Sequence, residues 1–181
     1  MGMRKYLKDY RLENVIGKNG KKRTVSVYCG SYYTFTEDWA RVRDGARTFA
    51  LLALAQVALC LMALLTNAEC GRAAYVMIPF AFILLPLFGV CMGAAGLTTA
   101  KPRLTREAKD HIRMRTGVCP LIVLILAAVS ALSHIPYAII HGETPQDIVY
   151  LAAALGICAS ALAQRGLSAR FAVAEEAPKQ Q

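Results

Sequence analysis

Four stretches of this chain contain no Asp, Glu, Lys or Arg: residues 48–66, 73–100, 117–140 and 148–164, of 19, 28, 24 and 17 residues. A hydrocarbon core of ~30 Å is crossed by about 20 helical residues, with ~17–25 tolerated. The first three stretches are long enough, and the fourth lies at the short end. None alternates with the period of two that a barrel strand needs, so in lipid only helices would satisfy their backbones. The competing fold is a soluble helical bundle, but its helices need polar outer faces. Here 56% of the 181 residues are hydrophobic, and they are clustered in blocks. The expected fold is an all-α membrane protein, a four-transmembrane-helix bundle.

The net charge of +9 acquires a meaning once it is mapped. The segment before the first block holds 11 Lys+Arg, the connection between blocks one and two holds only Arg72, and residues 101–116 hold 6. The connection between blocks three and four holds none, and the tail holds 3. Alternate faces therefore carry 20 cations against 1. That asymmetry is the positive-inside pattern and places both termini in the cytoplasm, in a multi-pass protein of the cell membrane. The cations then face anionic lipid headgroups, and nucleic acid is not an expected partner.

Residues 1–35 read as a small cytoplasmic β-hairpin segment. Tyr10 to Ile16 forms one strand, residues 18–21 a turn containing Asn19-Gly20, and residues 24–29 a second strand with Val25, Val27 and Cys29 on one face. Residues 31–35 can add a short third strand. A segment of this size buries too little apolar area to fold alone, so its tyrosines are expected to pack on the membrane surface, the second basic segment or a partner. Residues 36–47 then suggest an amphipathic juxtamembrane helix capped by Thr36. Its apolar stripe is Trp39, Val42, Ala46 and Phe49, and Arg41, Arg43 and Arg47 lie off it; the alternative is a plain continuation of span one.

Within the spans, Gln56 is the strongly polar side chain of the first and is expected to hydrogen-bond across a helix interface. Span two carries Pro79 and Pro86, each able to kink it, and a small-residue ridge of Gly89, Gly93 and Gly96 that invites close helix approach. Residues 101–115 are expected to form a basic amphipathic helix presenting Lys101, Arg103, Arg106, Lys109, Arg113 and Arg115 to headgroups. Gly117 and Pro120 mark a fresh start for span three. That span holds Ser130, His134 and Tyr137, and a polar group within a span is a functional candidate by default. Span four offers a second small-residue ridge, Ala152, Gly156 and Ser160, suited to packing on span two. Residues 165–181 read as a cytoplasmic tail, disordered from Ala172 onward.

Of the six cysteines, only Cys70 is expected to face the outside, which leaves no exofacial disulfide, and no zinc spacing occurs. A nucleophilic Ser130–His134 pair lacks a visible oxyanion hole. A metal site from His134, His141, Glu143 and Asp147 matches no established spacing. No catalytic motif, cofactor motif or intramembrane carboxylate is present, so neither an enzyme nor a proton-coupled exporter is indicated. The expectation is an accessory or interaction subunit of the membrane, partnered by lipids and by another membrane protein or a second copy. The alternative is a small-solute transporter or channel component with a cavity near Gln56 and His134.

Overall fold

The computed structural model describes residues 9–16 and 22–176. The turn expected at residues 18–21 lies outside them. The helices are α1 (Trp39–Leu65), α2 (Ala74–Phe82), α3 (Leu84–Thr98), α4 (Arg106–Arg113), α5 (Cys119–His141) and α6 (Pro145–Ser168). The strands are β1 (Tyr10–Ile16), β2 (Lys22–Tyr28), β3 (Tyr33–Phe35), β4 (Arg103–Leu104) and β5 (Val173–Glu175). Four helical runs are long and apolar enough to cross a membrane: Trp39–Leu65, Ala74–Thr98, Arg106–His141 and Pro145–Phe171.

These runs form a bundle in which α1 neighbours α6 and α3, while α5 neighbours α6, α2 and α3. The interior mixes small side chains, among them Ala53, Ala94, Ala127, Ala153 and Ala161, with bulky ones such as Phe49, Phe80, Ile157 and Tyr150. The small residues let helix backbones approach closely. Many other bulky apolar side chains face outward. Leu51, Leu54, Leu85, Phe88, Ile139 and Ile140 are each at least 69% exposed. A water-soluble monomer does not tolerate so large an uncovered apolar surface.

One end of the bundle, the turn end, is closed by two short connections. Asn67, at φ 51°, ends the first helix, and Gly142, at φ 79°, ends α5. The other, the sheet end, carries every strand. β1 and β2 form an antiparallel hairpin pairing Tyr10 with Tyr28, and a second sheet has the order β4-β3-β5, with Tyr33 between Leu104 and Glu175. Three chain segments separated by pairs of long helices thus meet in one small sheet.

Several expectations are corrected here. Residues 36–47 are not a separate juxtamembrane helix: from Trp39 onward they are the first turns of α1, which carries no side-chain N-cap. At ~1.5 Å per residue its 27 residues span ~40 Å, so it overreaches a ~30 Å core. Thr36 is held by the tail instead, its N–H and Oγ1 both donating to the Ala172 carbonyl at 3.0 Å. Residues 101–104 are not helical. The residue before a proline is pushed out of the helical region, and Lys101 precedes Pro102; the chain stays extended until Thr105 caps α4, its Oγ1 accepting from the Ala108 N–H.

Span three does not start afresh at Gly117. A π-turn over Met114–Val118 joins α4 to α5, closed by the Cys119 N–H on the Met114 carbonyl. The wider turn sits just ahead of Pro120, which has no N–H to close the next bond. Nor is the chain disordered at Ala172. Phe171 is buried against Phe49, with ring centroids 6.0 Å apart, and β5 follows. Span two is interrupted at Ile83, three residues ahead of Pro86.

Candidate functional site

The sequence supplies two groups of functional candidates, and the fold places them at different ends. Near the turn end, α5 and α6 bring polar groups into the interior. Ser130 Oγ lies 2.7 Å from Tyr150 Oη, and both reach the Val76 carbonyl at 3.4 Å, so Ser130 is not paired with His134. His134 stacks on Tyr150, and Tyr137 stacks on His141 with ring centroids 4.7 Å apart. His134 is enclosed, and its Nε2 has no partner among the described residues. Gln56 is wholly buried in α1 and neither amide atom finds a partner, so the expected cross-helix bond is absent. Gln164, which sequence reasoning did not single out, is buried as well: its Nε2 donates to the Phe49 carbonyl at 3.4 Å, while Oε1 is bare.

Asp147 was also missed as a structural group. It is fully buried at the start of α6 and accepts from the Cys70 N–H at 2.8 Å, from the Thr144 N–H at 3.1 Å and from Thr144 Oγ1 at 2.6 Å. Thr144 Oγ1 in turn accepts from the Asp147 N–H, completing a capping box. The signal was legible as Thr-x-x-Asp with Pro145 at the first helical position. Its reach to Cys70 was not. Cys70 is therefore buried in the connection between α1 and α2, and burial, with the hydrogen bond and charge of Asp147, pushes its thiol up to about 12. Among the described residues, no three His, Cys, Asp or Glu side chains are grouped to hold a metal ion.

At the sheet end the basic residues surround a folded deck. Tyr28 Oη accepts from the Arg106 N–H at 3.0 Å and donates to the Ser31 carbonyl, tying the hairpin to α4. Tyr10, Tyr28 and Tyr32 stack edge to face at 5.2 Å intervals. Lys109 Nζ sits 3.9 Å from the Tyr33 ring centroid, which eases its i,i+4 repulsion with Arg113. Arg103 pairs with Glu176 at 2.6 Å, Arg41 with Glu37 and Arg47 with Asp44, while Arg43 is exposed on the outer face of α1. Trp39 is half-buried against Phe35. Tyr10, Leu12, Val25 and Tyr32 remain exposed on the hairpin and its following loop.

The two small-residue ridges divide. A Cβ on Gly89 would lie 2.6 Å from Cys119 Sγ, and one on Gly93 would lie 2.9 Å from Arg115 Cβ, so both seat span two on the π-turn and the start of α5. Gly96 meets nothing and opens on a cleft. In α6, Gly156 packs on Leu59 of α1 rather than on span two, Ser160 is buried with its hydroxyl on the Ile157 carbonyl, and Ala152 is exposed. The buried face of α6 also includes Ala153, Ile157 and Ala161. No family model matches the chain, and no curated protein or solved structure is significantly similar to it.

Proposed function

We propose that the chain is a multi-pass protein of the cell membrane, with both termini and residues 101–116 in the cytoplasm, and that it serves as an accessory or interaction subunit. The uncovered apolar belt calls for lipid around the helices, and the 20-to-1 division of cations orients them. The observation that carries the interaction reading is the deck. Segments from before span one, between spans two and three, and after span four are stitched into one sheet, and the attached hairpin leaves Tyr10, Leu12, Val25 and Tyr32 uncovered. The hairpin is tied to α4 through Tyr28, and aromatic side chains are among the anchors that interfaces use most. The partner we infer is another membrane protein rather than a second copy, because Gly89 and Gly93 are consumed inside the bundle.

A photo-crosslinking side chain at Leu12 or Tyr32 is expected to trap a discrete heterologous adduct in native membranes, while one at Glu143 traps none. Uncrosslinked monomer at all three positions would end this reading.

A transporter is favoured by one observation only: the partnerless amide of Gln56 and Nε2 of His134, with a recess of about 150 Å³ at the turn end that reaches Tyr150. An orphaned buried polar group costs ~1–3 kcal/mol. Gln56→Leu is therefore expected to raise stability in micelles by about 1–2 kcal/mol and leave the protein otherwise intact. A fall in stability, accompanied by loss of solute flux in proteoliposomes, would favour transport instead.

A further inference from the structure

The deck and the bundle enclose a cleft of about 410 Å³ between the end of α3 and α4. This is within the ~300–1,000 Å³ typical of small-molecule sites. Its walls are of two kinds. Met92, Leu104, Ala108 and Ile112 give an apolar side, and Lys101, Arg103, His111 and Arg115 give a cationic side. Two of these basic groups are occupied: Arg103 by Glu176 at 2.6 Å, and His111 within 3.7 Å of Glu107. Lys101 and Arg115 form no salt bridge among the described residues. Gly96 lines the cleft with open space where a side chain would stand.

We infer that this cleft is a binding site for the headgroup of an anionic glycerophospholipid, its phosphate between Lys101 and Arg115 and the start of an acyl chain along Met92 and Ile112. The inference rests on the membrane reading above and names a ligand for the same basic face. Charge complementarity selects an anion, and unpaired cations beside an apolar wall are the arrangement that anionic headgroups satisfy. The apolar half selects a lipid over free phosphate, which would leave Met92, 40% exposed, uncovered. The site differs from general headgroup attraction in being shaped: it has a volume to fill, and one residue, Gly96, keeps it open.

The test is lipid retention by the full chain in mixed micelles, read by native mass spectrometry with phosphatidylglycerol and phosphatidylcholine offered in equal amounts. One phosphatidylglycerol per chain is expected, preferred roughly twenty-five-fold, since each of the two cations contributes about a factor of five. Gly96→Leu fills the cleft without touching a charge, and Lys101→Gln with Arg115→Gln removes the charge without filling it. Each should abolish the preference while the unfolding temperature holds. Equal retention of both lipids, or unchanged retention in Gly96→Leu, overturns the site. Displacement of phosphatidylglycerol by millimolar inorganic phosphate overturns the lipid assignment in favour of a free anion. Micelles have no sides and the readout needs no protein partner, so failure here is separate from failure of the orientation or of the accessory role.

Discussion

Asp147→Ala is expected to destabilise the bundle by roughly 3–5 kcal/mol, the largest effect of any single substitution considered for this protein. The carboxylate is completely buried and satisfies three donors on two segments, the Cys70 N–H, the Thr144 N–H and Thr144 Oγ1. Its removal uncaps α6, at ~0.5–2 kcal/mol, and strands the Cys70 N–H between α1 and α2, at ~1–3 kcal/mol. It also unties the connection after α1 from the one before α6, which together close the turn end. Asp147→Asn keeps the shape but offers one acceptor oxygen instead of two, so an intermediate loss of about 2 kcal/mol is expected. Equilibrium unfolding in detergent micelles measures both. An Asp147→Ala protein within ~1 kcal/mol of the wild type, the typical value of a single cap, would show that the lock contributes only as an ordinary helix cap.

The second large effect is expected at Gly93. A Cβ there would stand 2.9 Å from Arg115 Cβ and 3.3 Å from the Arg115 backbone carbon and oxygen. Backbone cannot swing aside as a side-chain tip can, so Gly93→Leu must push α3 away from the π-turn, at about 3 kcal/mol, the upper end of overpacking. Gly89→Ala is expected to cost less, since its nearest neighbour, Cys119 Sγ, can rotate. Gly96→Ala is the internal control. It meets nothing and should be neutral or gain the ~0.5–1 kcal/mol that alanine holds over glycine in a helix. If Gly93→Leu left monomer stability untouched but dissolved an oligomer, the ridge would belong to a subunit interface and not to the bundle interior.

The long helices were legible because a charge-free block of about 20 residues has few alternatives. Helix ends and the sheet were not. β3, β4 and β5 are two or three residues long, and Tyr33 of β3 pairs with Leu104 in β4 and with Glu175 in β5, far along the chain in both cases. No periodicity of three residues can announce such a pairing, so the tail from Ala172 read as unstructured and residues 101–104 as helix. Of the expected ridge on α6, Gly156 and Ser160 are packed and only Ala152 is exposed; Ala152, Ala153 and Ala154 are indistinguishable in a pattern of small residues. What the sequence could not show is the partner, which is Leu59 of α1 and not span two. Gln56 was legible as an anomaly, but that both its amide atoms are left bare emerges only once the four helices are set around it.

The central claim is that the cation-rich segments share the cytoplasm and the turn end faces outward. It is tested most directly by labelling intact cells with a membrane-impermeant maleimide. Cys29 is exposed at the sheet end, Glu143 is exposed at the turn end, and Cys70 is buried with its thiol protonated. Glu143→Cys is expected to be labelled in intact cells, Cys29 only after permeabilisation, and Cys70 only after unfolding. Labelling of Cys29 in intact cells, or recovery of the protein from the aqueous phase without detergent, would contradict the claim.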